Sequence, residues 1–274
     1  MADSVADATA ALTDDGCVPL AGGTWIMRAS IRGEAQSRRY VGIGRIPELN
    51  TIDVKDGEIR LGACVTHARL VESFAGLAQW NGLAAAAGAA ANPAVREMAT
   101  VGGNLSTQDF FAADLPPALL SLDAAVELVR PGGTERLSVG RYLDVRRTLE
   151  PGALMTSIVL PRRPMRTGHA RLPLRKAGDY PVAIVSMAAV LSSDGRVDVI
   201  RIAVGSVEPA AGRWTELEEK LLGRPLDPDT AHEMAEATAD TFTGRDSVEA
   251  PGWYRVKVLP ALVRRATQAV LSSR

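Results

Sequence analysis

Two glycine pairs are the residues best placed to do chemistry. Gly22-Gly23 lies in Leu20-Ala21-Gly22-Gly23-Thr24, and Gly102-Gly103 lies in Thr100-Val101-Gly102-Gly103-Asn104, each beside hydroxyl or amide side chains. Consecutive glycines let neighbouring N–H groups converge on one point and let the main chain approach a ligand closely, which is the geometry a diphosphate needs. Taken singly, either pair is more often an ordinary turn. Other chemistries lack the residues to carry them. Gly42-Ile43-Gly44-Arg45-Ile46-Pro47 misses the third glycine of a dinucleotide fingerprint and puts Pro47 where the phosphate-binding helix should begin, so it reads as a strand end. There is no Walker-type loop, no Gly-x-Ser-x-Gly elbow and no His-Glu-x-x-His. The two cysteines, Cys17 and Cys64, read as reduced small hydrophobes and are too few for an iron–sulfur cluster or a cysteine zinc site. His67, His169 and His232 have no metal-ligand spacing. No metal site is expected, and no side chain is nominated as an acid or base.

The elements that must position these glycines follow from patterning. At 274 residues the chain is long enough for two compact units, and 46% hydrophobic against 23% charged residues describes a globular chain. With 31 Lys+Arg against 32 Asp+Glu, no polybasic block offers itself to nucleic acid or anionic lipid. No stretch reads as a membrane span, and the N-terminus lacks a secretory pattern, so a cytoplasmic location is the expectation. Ser4 caps a helix ending near Gly16, and Cys17-Val18-Pro19-Leu20 and Tyr40-Val41-Gly42-Ile43 read as strands around Ala21-Gly22-Gly23-Thr24. Residues 51 to 65 alternate as a hairpin about Asp56-Gly57, and Thr66 caps the helix that follows. The Ala-rich run Leu83 to Ala91 predicts a buried helix stopped by Asn92-Pro93, and Thr100 to Asn104 reads as irregular. Asp114-Leu115-Pro116-Pro117 starts another helix, and strands lie around Val126-Leu128, Leu137-Val139 and Leu154 to Leu160. The basic segment Arg162 to Gly168 is the expected domain boundary. Beyond it, Val182 to Leu191 and Val197 to Val207 form an antiparallel pair about Asp194-Gly195. Helices follow at about 214–222, 228–241 and 252–271, the last with a stripe of Trp253, Val256, Leu259, Val263, Ala266 and Val270.

The glycine pairs do not stand alone. Leu20-Ala21-Gly22-Gly23-Thr24, Gly62-Ala63-Cys64-Val65-Thr66-His67, Thr100-Val101-Gly102-Gly103-Asn104-Leu105 and Asp114 to Ala124 occur in an order and spacing that resembles the FAD-binding medium subunit of molybdenum hydroxylases, the xanthine dehydrogenase and carbon monoxide dehydrogenase family. The resemblance continues through Ile158 to Pro161, Arg175 to Tyr180 and Tyr254-Arg255, and so covers nearly the whole chain. It implies an α+β fold: a two-subdomain FAD-binding domain over 1–163 (subdomains about 1–50 and 51–163), then a C-terminal antiparallel sheet-and-helix domain over 168–274 that covers the flavin. It also implies that FAD, held non-covalently, is contacted by Ala21, Gly22, Gly23, Thr24 and Trp25, by Thr66 and His67, by Thr100, Gly102, Gly103 and Asn104, and by Asp114, Lys176 and Tyr180. From the residues alone, Thr66 and Asp114 are equally helix caps, and Tyr180 equally a turn residue. The sequence departs from the family pattern at Trp25, at Ala99 before Thr100, and in the segment from Asn104 to Asp114, which is one residue longer and contains Phe110-Phe111.

The implied function is electron transfer. Substrate would be oxidised at a molybdenum cofactor on a large partner subunit, 2Fe-2S clusters on a small partner subunit would relay electrons, and this chain's FAD would pass them to an external acceptor. The alternative is a stand-alone FAD-dependent oxidoreductase with its own substrate pocket. A third reading is a non-catalytic nucleotide-binding module.

Overall fold

The computed structural model describes residues 1–34, 39–174 and 180–273. Its contacts divide the chain into two units with interleaved segments. Met1–Arg69, Pro93–Gln108 and Asp123–Arg162 make the first; Leu70–Asn92, Asp109–Leu122 and Arg163–Arg274 make the second. The architecture is α+β.

In the first unit, helix α1 (Val5–Ala11) starts where Ser4 Oγ accepts the Asp7 N–H at 3.1 Å. Strand β1 (Cys17–Leu20) runs parallel to β2 (Arg39–Gly42). The five-stranded sheet has the order β3 (Ile52–Val54), β4 (Glu58–Gly62), β7 (Leu154–Pro161), β5 (Ala125–Arg130), β6 (Gly133–Ser138), and every neighbouring pair is antiparallel. Ala8, Leu12, Ile43, Ile46 and Leu49 pack together with Cys64 and Leu154, which fastens β1 and β2 to this unit's core. Helix α2 (His67–Phe74) follows the hairpin, its residues from Leu70 on belonging to the second unit, and α4 (Pro93–Met98), α5 (Val101–Ser106) and α7 (Val139–Val145) complete the helices of the first. Thr100–Asn104, expected to be irregular, is instead the capped start of α5. Thr100 Oγ1 accepts the Gly103 N–H, and this cap offsets the poor helix propensity of two glycines.

The second unit contains α3 (Asn81–Ala89), α6 (Leu115–Ser121) and an antiparallel sheet of order β11 (Gly212–Arg213), β10 (Val197–Gly205), β9 (Pro181–Leu191), β8 (Arg166–Pro173). Helices α8 (Thr215–Leu221), α9 (Pro228–Glu236), α10 (Gly252–Lys257) and α11 (Leu259–Ser272) follow. Met187, Ile202, Trp214, Leu259, Val263 and Ala266 form its centre. Strand β8 begins inside the basic segment expected as the domain boundary, because Thr167 and Gly168 are packed by helices rather than solvated. A Cβ on Gly82 of α3 would come 3.1 Å from Thr167 Cβ, and one on Gly168 would come 2.3 Å from the Ala266 carbonyl oxygen of α11. The expected single helix over 252–271 is two. Pro260 lies in the first turn of α11, and Trp253, assigned to the buried stripe, is 65% exposed on α10. Among the described residues, no helix is long and apolar enough to cross a membrane.

Candidate functional site

Strands β1 and β2 end together: Leu20 pairs with Gly42, and the Ile43 N–H donates to the Leu20 carbonyl at 2.9 Å. The chain leaves β1 through Ala21-Gly22-Gly23-Thr24-Trp25. Gly22 lies against the end of α4, where an added Cβ would stand 1.7 Å from the Met98 carbonyl oxygen, so only glycine fits. Gly23 turns the chain with a φ of 69°, a left-handed conformation that favours glycine. The N–H groups of Ala21, Gly22, Gly23 and Thr24 donate to no acceptor among the described residues, although all four residues are half-buried. Trp25 is engaged differently: the Arg32 guanidinium lies 3.9 Å above its ring, and Arg32 Nη1 donates to its carbonyl at 3.0 Å.

The second glycine pair is built in the opposite way. Thr66 and Thr100 form an antiparallel bridge, Thr66 Oγ1 accepts the Arg69 N–H at 3.3 Å, and the buried His67 donates its N–H to the Ala99 carbonyl at 2.9 Å. The Val101 N–H donates to Val65 O at 2.9 Å, that of Gly102 to Ala63 O at 2.8 Å, and that of Asn104 to Thr100 O at 2.9 Å. The Gly103 N–H goes to Thr100 Oγ1 at 3.1 Å. The first four donors of α5 are therefore used within the protein. Gly102 is small because Ala63 lies against it, with the Ala63 Cβ 2.8 Å from where a Gly102 Cβ would be. What this loop leaves available is the exposed backbone at Gly103 and the Asn104 side chain, whose buried Oδ1 meets no hydrogen-bond partner among the described residues.

These features fit a diphosphate. Four successive N–H groups without acceptors among the described residues, on a loop holding no charged residue between Leu20 and Ile26, suit an anion whose charge is offset by backbone dipoles. The cysteines take no part: Cys64 is buried, with its Sγ 3.8 Å from the Ile43 carbonyl, and burial pushes its thiol up to about 11. Among the described residues, no group of His, Cys, Asp and Glu is arranged to hold a metal ion.

The remaining candidates belong to the second unit. Asp114 precedes α6, but its carboxylate does not cap the helix. It is 3% exposed and pairs with Arg171 Nε at 2.9 Å, with His169 Nε2 at 3.5 Å. His169 Nδ1 in turn meets Ser186 Oγ at 2.9 Å, so Asp114 ends a buried polar chain across β8 and β9. Lys176 lies outside the described residues. Tyr180 is 41% exposed, and its ring meets Phe110 edge-on with centroids 5.4 Å apart. Phe110 lies in the segment that is one residue longer than the family pattern, and Phe110-Phe111 stand out as adjacent aromatics in a chain with 4% aromatic residues.

A parallel strand pair feeding a glycine loop, beside an antiparallel five-stranded sheet, together with a second sheet-and-helix unit, is the architecture of the flavoprotein chains of molybdenum-containing dehydrogenases. Residues 1–163 match the family described as the FAD binding domain in molybdopterin dehydrogenase, and residues 171–270 match the CO dehydrogenase flavoprotein C-terminal domain. The chain belongs to this family, and it is an FAD-binding medium subunit of the molybdenum hydroxylase type. It is 31% identical to the nicotine 6-hydroxylase medium subunit of Paenarthrobacter nicotinovorans, over 92% of this chain and 89% of that one. It is also 31% identical to the carbon monoxide dehydrogenase medium chain of Afipia carboxidovorans, over 97% and 93%. Among solved structures, a chain of carbon monoxide dehydrogenase from Hydrogenophaga pseudoflava superposes with a TM-score of 0.89 at 27% identity, covering 99% of this chain and 96% of that one.

Proposed function

We propose that this chain is the electron exit of a cytoplasmic multi-subunit molybdenum hydroxylase. Its partners are a molybdenum-cofactor large subunit and a small subunit carrying 2Fe-2S clusters. When bound, FAD supplies the redox chemistry that links those clusters to an external acceptor. The chain's own residues bind and orient the cofactor. The Ala21–Thr24 N–H groups receive the diphosphate, and Asn104 and the exposed Gly103 backbone border it. Thr66 and Thr100 bridge the second loop, and His67, Val101 and Gly102 hold it through the Ala99, Val65 and Ala63 carbonyls. Lys176 and Tyr180 contact the cofactor from the C-terminal part of the chain, residues 168–274, while 1–163 carries the glycine loops. The observation that carries this reading is the row of four N–H donors without acceptors among the described residues. Two cysteines supply too few thiolates for a four-ligand cluster, so these 274 residues do not themselves hold the iron–sulfur relay.

The test is purification with co-expressed partner chains, followed by acid precipitation. FAD should pass into the supernatant at one per chain, with iron and molybdenum retained only when the partners are present. Flavin left in the pellet would contradict non-covalent binding. FMN in place of FAD would contradict the diphosphate assignment. A lone chain that oxidises an organic substrate would restore the stand-alone oxidoreductase.

A further inference from the structure

Tyr180 immediately precedes β9, and the structure pins the two residues that follow it. Ser206 Oγ donates to the Pro181 carbonyl at 2.6 Å, and Arg255 Nη1 donates to the Val182 carbonyl at 2.7 Å. Ser206 does this from a left-handed φ of 65°, where a side chain is seldom accommodated. Its own carbonyl accepts from Arg245 Nε and from Arg255 Nη1, each at 3.1 Å. Arg255 is 1% exposed, and its Nη2 donates to Ser247 Oγ at 2.7 Å. Two guanidiniums are thus committed to one strained turn, more anchoring than the start of a strand requires.

The anchoring closes on itself through the aromatic insertion. The Arg245 guanidinium lies 5.1 Å over the Phe111 ring, and the neighbouring Phe110 meets the Tyr180 ring at 67° with centroids 5.4 Å apart. Two of the chain's four phenylalanines are spent here. The ring they hold is not a core residue, since Tyr180 remains 41% exposed. An exposed tyrosine on a strand end samples more than one rotamer, and an edge-to-face contact from one side selects among them. The circuit from Ser206 through Arg245, Phe111 and Phe110 therefore holds a solvent-facing ring in one orientation.

We infer that Phe110 is a positioning residue that fixes the orientation of Tyr180 and, through it, the access of electron acceptors to the reduced flavin. The inference rests on the FAD-binding function and on Tyr180 contacting the cofactor. It adds that the longer Asn104–Asp114 segment holds that ring, and that Phe110 acts on reoxidation through Tyr180.

The experiment uses the full chain in its complex, with Phe110→Ala, Phe110→Tyr, Tyr180→Ala and the Phe110→Ala/Tyr180→Ala double variant, and two readouts. The first is the fluorine NMR signal of Tyr180 in 3-fluorotyrosine-labelled chain, identified by its loss in Tyr180→Phe and recorded before FAD is loaded. The second is stopped-flow reoxidation, in which two electrons and two protons pass from reduced flavin to dioxygen and yield hydrogen peroxide. Phe110→Ala should shift the Tyr180 signal and change the reoxidation rate roughly two- to tenfold, the factor an edge-to-face pair is worth, in the same direction as Tyr180→Ala. The double variant should match Tyr180→Ala, and Phe110→Tyr should restore both readouts. An unmoved Tyr180 signal in Phe110→Ala would overturn the clamp. So would a moved signal with wild-type reoxidation where Tyr180→Ala changes the rate, or additive effects in the double variant. If the signal moves but Tyr180→Ala itself leaves reoxidation unchanged, the inference falls because its premise about Tyr180 has failed, and the moved signal separates that failure from the first.

Discussion

Gly22→Ala is the sharpest perturbation of the diphosphate loop. The new Cβ would stand 1.7 Å from the Met98 carbonyl oxygen and 2.6 Å from its carbon, both main-chain atoms that no rotamer change can move. A carbon and a carbonyl oxygen approach to about 3.3 Å at closest, so the loop and the end of α4 must separate by about 1.6 Å. Hydrogen-bond geometry does not survive such a shift. A hydrogen bond to a charged group contributes about 1.5–3 kcal/mol, so misaligning two of the four N–H donors should cost about 3–6 kcal/mol of FAD binding, a weakening of about 10²- to 10⁴-fold. Gly103→Ala is the contrast, because its Cβ would meet only Thr100 Oγ1, at 2.8 Å. Loss of that cap costs about 1 kcal/mol, about fivefold at most in affinity. The assay is fluorescence titration of flavin-free chain with FAD, alongside circular dichroism to establish folding. Should Gly22→Ala unfold the chain, Gly23→Ala serves instead, since its Cβ would meet only flexible side chains, Met27 Cγ at 3.2 Å and Leu20 Cδ1 at 3.5 Å, and its cost is the left-handed φ. Folded Gly22→Ala or Gly23→Ala chain that binds FAD as tightly as wild type would refute the loop as the diphosphate site.

Three further outcomes test the surrounding structure. Because burial pushes the Cys64 thiol up to about 11, about one in a thousand is ionised at pH 8, and iodoacetamide should label the half-buried Cys17 while sparing Cys64; equal labelling in mass mapping of folded chain would refute this. The Arg136 hydrogen bond holds the Glu58 carboxyl below the usual carboxylate range, so its stabilising contribution is present above the ordinary carboxylate pKa and is lost as pH falls through the lowered one. Arg136→Leu should therefore move acid unfolding, followed by circular dichroism, to higher pH, and an unchanged midpoint counts against the network. Arg171→Met leaves the Asp114 carboxylate buried without its cation, a loss of about 3–5 kcal/mol that should lower the melting temperature by about 10 °C, with partial recovery on adding Asp114→Asn; a melting temperature within a degree of wild type would show that the pair is not structural.

The strands were more legible than the helices. Cys17–Leu20 lies where the sequence places it, because apolar residues bounded by glycines on both sides leave few alternatives. The β9–β10 pair follows from alternation about Asp194-Gly195, and Gly195 takes the φ of 80° that the turn needs. Helix α5 was not legible. Two glycines lower local helix propensity, and the Ala63 and Val65 carbonyls that hold its first turn are contributed from 39 and 36 residues earlier in the chain than the Gly102 and Val101 N–H groups they accept from. The break between α10 and α11 was hidden for another reason: the apolar spacing from Trp253 to Val270 runs across it unbroken, although Pro260 sits in the first turn of α11 and Trp253 proves solvent-exposed. Likewise β8 was masked by arginines on either side of Thr167-Gly168, whose burial depends on α3 and α11 meeting the strand where side chains are absent.

The site was legible as residue types but not as roles. Both glycine pairs present the same local pattern, and propensity treats them alike. Tertiary contacts divide their work. At Gly102-Gly103 every nearby N–H finds a carbonyl or the Thr100 hydroxyl, so the pair builds a rigid turn, with the Thr66–Thr100 bridge and the Gly102–Ala63 contact closing it. At Gly22-Gly23 no N–H finds one among the described residues, yet the loop is held closely, because Gly22 presses on the Met98 carbonyl two residues before Thr100. One pair spends its hydrogen bonds on structure, and the other, braced by that structure, has donors to offer the ligand proposed for it. Donors held in place this way need no reorganisation to meet an anion, so a loop without lysine or arginine can still bind a diphosphate. Substitutions at Ala63 or Thr100 should accordingly weaken FAD binding without touching it, since they loosen the turn against which the first loop is set.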